Sequence, residues 1–320
     1  MKTLADSPGR IVHEYKTPKK RLKPGLKLFL MVLPFLVLVF IFSYFPLYGW
    51  IYAFFDYRPP LKLSQCEFVG FKWFATLFRT PTQIKQLLQV LLNTFAISGL
   101  GILSSFLPVM FAIFLTESRS KKFKNMVQTL TTIPNFISWV LVYSIAYSLF
   151  CNSGMANSLL QSLGVIDNPI KFLDSDNFTW LKMCLWSLWK FTGWNAIMYL
   201  AAISGIDPEL YEAARVDGAG RFRLMWHITI PGLTPTFFVL LMLSIANFLN
   251  NGLDQYYVFQ NSFNKEHIQV LDLYVYNIGM SGSNAYSLAT VISMMKSIVS
   301  VTLLLFANRL SKAVRGETII

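Results

Sequence analysis

The chain has 320 residues, of which 54% are hydrophobic and 16% aromatic but only 14% charged, and it carries a formal net charge of +12. A soluble domain is about 25% charged, so this composition sets an ordinary soluble enzyme aside and points to long apolar segments. Three widely spaced cysteines, Cys66, Cys151 and Cys184, form no CxxC pair; neither a disulfide framework nor a zinc site is implied, and buried thiols are the plain reading.

In chain order, a tail over residues 1–27 holds eight Lys and Arg. Six segments then reach the roughly 20 apolar residues that a spanning helix needs: Leu28–Trp50, Val90–Leu115, Met126–Phe150, Thr179–Ser204, Gly232–Asn250 and Ala285–Asn308. None contains Asp or Glu. The first is too long, and lacks the small-residue cleavage site, for a removed signal peptide. The expected organisation is a basic tail 1–27, a six-helix membrane domain 28–308 and a short tail 309–320.

The N-terminal tail, the two loops after spans two and four, and the C-terminal tail together hold eighteen Lys and Arg, against seven in the loops of the opposite side. The positive-inside rule puts both termini in the cytoplasm, and an even number of spans agrees. The basic tail then reads as a topology signal beside anionic lipid. Nucleic acid is not expected as a partner, because no aromatic or Gly-rich binding pattern accompanies these charges. Pro34 and Pro46 in span one, Pro108 in span two and Pro134 in span three predict kinks whose freed carbonyls neighbouring helices must cover.

Span four carries Lys182 and Lys190 among tryptophans. Lys190 lies 11 residues into its span and Lys296 lies 11 into span six, roughly 16 Å deep at 1.5 Å per residue. A charge at mid-bilayer faces the bundle interior or a water-filled cavity. Two readings compete for both amines: they line a polar path and neutralise a carboxylate, or they pair with backbone carbonyls or with an acid on a partner. Lys182, nearer the outer end, is expected to snorkel. At 100° per residue, Lys182, Trp186, Trp189, Lys190 and Gly193 share an arc of roughly 100°, with Trp194 at its edge. Indole faces stack on sugar C–H faces, and they also serve interfaces and bundle packing. Trp180, at the outer end, reads as an interface residue. In span five, Asn247 and Asn251 either bond across helices or meet a polar solute, and Tyr256 and Tyr257 follow close by.

The loop 205–231 separates spans four and five. Asp207-Pro208 starts a helix, since Asp caps free N–H groups and Pro suits the first turn. Gly218 and Gly220 break it, Arg221 to His227 can resume as a second short helix, and Pro231 starts the next span. The small residues Ala213, Ala214, Gly218, Ala219 and Gly220 allow another backbone to approach, and Glu212, Asp217, Arg215, Arg221 and Arg223 can set register. On charge pattern alone, a docking surface and a solvated amphipathic connector remain equally open.

The wording of this loop resembles the EAA motif of permease subunits of ATP-binding-cassette importers: Glu212-Ala213-Ala214, then Asp217-Gly218-Ala219, then Ile230-Pro231. The chain is similar almost end to end to the sugar-importer branch that includes maltose and glycerol-phosphate permeases, and within it to LplB-type permeases. Matching segments are Phe45–Gly49, Ile133–Trp139, Trp189–Ala202, Gly252–Asn261, Tyr274–Gly279 and Lys296–Asn308. The resemblance implies an all-α, polytopic, type I importer fold of six transmembrane helices in the bacterial cell membrane. It implies a coupling loop docking on an ATPase through Glu212, Ala213, Ala214, Asp217, Gly218, Ala219, Gly220 and Arg221, with Glu212 and Gly218 central. It implies partners: a second permease, two ATPases and an extracytoplasmic sugar-binding lipoprotein. The cargo expected of this subgroup is an oligosaccharide, often uronate-bearing. No Walker A pattern occurs in the chain, so ATP and Mg are expected on the separate ATPase and no cofactor, metal or catalytic residue here. Candidates for the substrate path are Lys190, Trp186, Trp189, Trp194, Asn247, Asn251, Lys296 and Tyr256. A secondary transporter or channel working alone is the competing class; it predicts intramembrane acids or an inverted repeat, and neither is visible.

Overall fold

A computed structural model describes residues 24–280 and 285–315, with side chains over 25–280 and 285–312. The basic tail before residue 24 and the last residues of the C-terminal tail lie outside the described residues. Contacts divide the chain into two units, residues 1–51 and 52–320.

The described part of the first unit is a helix, α1 (Pro24–Val39), continued by a wide π turn over Phe40–Tyr44 and most of a tight helical stretch, Phe45–Phe54, whose last three residues belong to the second unit. The wide turn ends just before Pro46, whose ring would otherwise press on the carbonyl four residues back. From Leu26 to Phe45 its large apolar side chains are exposed, the pattern of a helix meant for lipid or another apolar surface.

The second unit begins with a short α2 (Lys72–Thr76) and then α3 (Pro81–Leu103) and α4 (Phe106–Thr116). Thr80 caps α3 by accepting from the Gln83 amide at 3.4 Å, with Pro81 in the first turn. Span two breaks at Ser104-Ser105, so that Pro108 sits in the first turn of α4, where its missing N–H costs nothing.

The third segment departs most from expectation. α5 (Lys121–Thr132) leads through a tight turn, Ile133–Phe136, into α6 (Trp139–Phe150). The run Lys121–Phe136 meets Trp139–Ser162 at 106°. The expected single helix Met126–Phe150 is therefore a broken one. Pro134 stops the first arm, and Ser138 caps the second by accepting from the Leu141 amide. α7 (Met155–Ser162) follows, then α8 (Thr179–Ser204), α9 (Pro208–Val216), α10 (Arg221–Leu224) and α11 (Ile230–Ala246). Three short helices, α12 (Asp254–Phe259), α13 (Lys265–Ile268) and α14 (Leu271–Met280), precede α15 (Tyr286–Arg315).

The described structure is all-α, with one isolated bridge, Phe55 to Phe68, and no strand. Four helical runs are long and apolar enough to cross a bilayer: Gly25–Phe54, Pro81–Thr116, Arg221–Ala246 and Tyr286–Lys312. The bent pair makes a fifth. α8 has 26 residues, about 39 Å at 1.5 Å each, but its two lysines and its polar residues make it less apolar. A count of six is consistent with this inventory.

α8 is the central element of the second unit, packed against α3, α4, α5 and α11. Its approach to α5 is backbone on backbone. A Cβ on Gly193 would fall 2.2 Å from the Thr131 carbonyl oxygen, so only glycine fits. The core lies in three clusters. One joins Val142, Met183, Phe259 and Leu273, and a second joins Ile113, Ala196, Leu200 and Leu233. The third joins Val90, Leu271, Tyr274 and Val291.

Candidate functional sites: an exposed loop and a central cavity

The loop between α8 and α11 is built by local rules. Asp207 accepts from the Glu209 amide at 2.9 Å and Pro208 occupies the first turn. At the other end Gly218 adopts φ +77. The Ala219 amide donates to the Ala214 carbonyl at 2.9 Å and the Gly218 amide to Arg215 at 3.0 Å. This is the paired closure of a helix by a left-handed residue, which an L side chain resists. The Tyr211 hydroxyl meets the Thr229 hydroxyl at 3.0 Å, tying α9 to the start of the next helix.

Glu212, Ala213, Asp217, Gly218, Gly220 and Arg221 are all exposed, with Ala214 and Ala219 half-buried. None of Glu212, Arg215, Asp217, Arg221 and Arg223 is in an ion pair among the described residues. Beside these charges Val216 is 88%, Phe222 82% and Trp226 70% exposed. Large apolar side chains so exposed, ringed by unpaired charges, mark a contact surface. One expectation is corrected here. Arg221–His227 is no separate helix, since α10 runs through a π turn, Met225–Thr229, into α11. The wide turn, closed by the Ile230 amide on the Met225 carbonyl, absorbs Pro231 inside a continuous run, where its ring would clash in a regular helix.

The second site is a cavity of about 700 Å³ between α3, α4, α8, α11 and α12. Its polar lining is uncharged but for Asp254: Ser98, Ser104, Ser105, Ser187, Thr192, Asn195, Ser244, Asn247, Asn250, Asn251 and Gln255. Asn251 donates to Ser98 Oγ at 2.8 Å, while its Oδ1 is buried without a partner. Gln255 donates to the Met183 carbonyl at 2.8 Å and accepts from Ser187 at 2.7 Å. Tyr256 lies in the wall but is buried, which raises its phenol and keeps it neutral at ordinary pH.

The structure gathers only part of the predicted path. Asn247, Asn251 and Tyr256 line this cavity. Lys190 does not. It is 4% exposed and its ammonium donates to the carbonyls of Pro134 at 2.8 Å, Asn135 at 3.1 Å and Ile137. These acceptors belong to the turn at the Pro134 break, where the Pro134 carbonyl also takes the Ile137 amide at 3.2 Å, so the carbonyl reading of Lys190 replaces the path reading. Lys182 likewise does not snorkel; it donates to the carbonyls of Phe172 and Ser175 at 2.9 and 2.8 Å. Trp186 packs against Phe150, Trp189 and Phe259, and Trp194 lies edge-on to Phe136. None of these three tryptophans lines the cavity. Trp180, expected at the interface, donates its indole N–H to buried Asn93 at 3.1 Å. Lys296 sits in a smaller cavity, about 340 Å³, paired with Asp272 of α14.

Sequence reasoning missed Ser98, Ser105, Ser187, Thr192 and Asn195. A signal existed: Ser98, Gly101 and Ser105 recur at i, i+3, i+7, as do Leu188, Asn195 and Tyr199 at i, i+7, i+11, the period of one helical face. The tryptophan–lysine arc drew attention to the packing face of α8 instead.

The model of the family described as "binding-protein-dependent transport system inner membrane component" matches residues 108–316. The chain belongs to this family. It is 39% identical over 293 residues to Protein LplB of Bacillus subtilis, covering 91% of this chain and 90% of that protein. It is 38% identical over 294 residues to the polygalacturonan/rhamnogalacturonan transport system permease protein YteP of the same organism, covering 91% and 89%. Among solved structures it resembles a chain of a bacterial alginate ABC transporter in complex with an alginate pentasaccharide-bound periplasmic protein. There the TM-score is 0.80 at 31% identity, covering 92% of this chain and 96% of the other. The permease is thus an inner-membrane component of a sugar ABC importer, and the exposed loop and the cavity fall within the segment that the family model spans, save for the part of the wall from Ile97 to Ser105.

Proposed function

We propose that this permease is one half of the membrane pathway of an ATP-driven oligosaccharide importer. A second permease completes the pathway, two partner ATPases bind ATP and Mg, and an extracytoplasmic sugar-binding lipoprotein delivers cargo. The observation that carries the reading is the α9–α10 loop: a rigid, capped helix with unpaired charges and bare apolar side chains, placed where the EAA resemblance puts an ATPase contact. Both termini and this loop lie in the cytoplasm, in keeping with the bias of basic residues. ATP-driven closure of the ATPases moves α9, and α9 moves α8, which precedes it, and α11, to which it is linked through α10 and the Tyr211–Thr229 contact.

The cargo is an oligosaccharide that carries uronic acid. The similarity to a polygalacturonan/rhamnogalacturonan permease and to a transporter for an acidic polysaccharide supports this. This chain meets it with neutral amides and hydroxyls around Asn247 and Asn251, which suit sugar hydroxyls and carboxylate oxygens alike. Its mid-depth amines are engaged elsewhere, so a cation for the carboxylate is assigned to the partner permease.

Co-purification of the ATPase with the tagged permease tests the coupling loop. Gly218→Val, which no left-handed position accepts, and Glu212→Arg should each lower the recovered ATPase and oligosaccharide uptake at least about tenfold, the factor that 1.4 kcal/mol gives. Wild-type recovery and uptake in both variants would remove the proposal.

A further inference from the structure

The smaller cavity holds an arrangement that the transport reading leaves unused. Asp272, on α14, uses its two oxygens in different directions. Oδ1 takes the ammonium of Lys296 on α15, and Oδ2 accepts from the Gly252 amide at 3.0 Å. Gly252 has φ +80 and belongs to the non-helical stretch that leaves α11, and it lines the main cavity. Two residues before it, Asn250 lines both cavities and donates to Asn247 at 3.3 Å. One carboxylate therefore joins the last helix to the polar wall of the main cavity. Asp272 is half-buried and Lys296 is too, which favours a fixed pair over a fluctuating surface one.

We propose that Asp272 is a positioning residue for the cargo wall: with its charge neutralised by Lys296, it anchors the Gly252 amide and so fixes the stretch Asn247–Asn251 that faces the sugar. The anchor needs an acceptor at residue 272; the charge is needed only because Lys296 is charged. That this wall meets sugar rests on the function proposed above.

The test keeps the two questions apart. In the full chain, expressed in membranes of its native host with Cys66, Cys151 and Cys184 replaced by serine, Asn250→Cys supplies a reporter thiol. Its rate of modification by a water-soluble methanethiosulfonate is compared in two doubly substituted forms, Asp272→Asn/Lys296→Met and Asp272→Leu/Lys296→Met. Both remove the charge pair together, so neither leaves a buried ion alone. Only the first keeps an acceptor for Gly252. The asparagine form should react at the rate of the parent and the leucine form about threefold to tenfold faster, the range expected for loss of one backbone hydrogen bond. Equal rates in the two forms would overturn the proposal, whatever uptake does. Uptake of mixed oligogalacturonides is measured alongside. A labelling difference without an uptake difference would leave the anchor standing and remove the cavity from the cargo path.

Discussion

At the scale of single residues, Lys190 decides how the helices can bend. An ammonium has three protons, and here three carbonyls at the Pro134 break receive them. In hydrocarbon each unpaired carbonyl costs on the order of a few kcal/mol. Lys190→Met takes the ammonium from all three at once and should prevent recovery of intact permease, or drop its thermal midpoint sharply in detergent. Any residual uptake should fall by the same factor for neutral and uronate oligosaccharides. A selective loss for the acidic cargo, measured with both in parallel, would return Lys190 to the cargo path. That this amine is shielded from water was legible from its place in the span. Its partners were not, because they sit more than fifty residues away and become acceptors only once the chain has bent. Asp272 escaped notice for a related reason: it lies outside every apolar span, and α14 folds it back against α15.

At the scale of elements, local signals were dependable where the chain obeys local rules. Asp207-Pro208 opens α9 and Gly218 closes it as the residue types require. Asp207→Ala loses the cap on the Glu209 amide, worth about 1 kcal/mol. It should weaken ATPase recovery about fivefold in the same co-purification, less than Gly218→Val does, because the left-handed closure remains. The prolines mark boundaries that the chain then bridges or bends. Pro231 stands in the first turn of α11 as expected, yet the π turn over Met225–Thr229 joins α10 to it without a gap. Pro134 reads as a kink, yet with Ser138 to cap the next arm it yields a 106° corner.

At the scale of the molecule, the cavity is a neutral polar wall interrupted by one carboxylate, Asp254. A like charge at several ångströms in a partly wet cavity disfavours an acidic guest by about 1 kcal/mol. Asp254→Asn should therefore raise uptake of uronate oligosaccharides about threefold to fivefold relative to neutral ones of equal length, scored as a ratio within one membrane preparation. No change in that ratio would mean that the acidic groups never approach this wall. The all-α architecture and four of the spans were visible in the sequence because apolar length survives any detail of packing. Which face of α8 meets the cavity was not, because tryptophan and lysine suit a sugar site and a tight helix junction equally well.

The corner between α5 and α6 also orders events during synthesis. When it enters the bilayer, the Pro134 carbonyl already accepts from the Ile137 amide at 3.2 Å, but the carbonyls of Asn135 and Ile137 still await the Lys190 ammonium, which follows Ile137 by 53 residues. Until α8 arrives, that stretch must keep its carbonyls near water or lean on the insertion machinery. Lys190 therefore acts as a late keystone: before it is in place the bent arm is provisional, and afterwards the first half of the permease can no longer leave the membrane piecemeal.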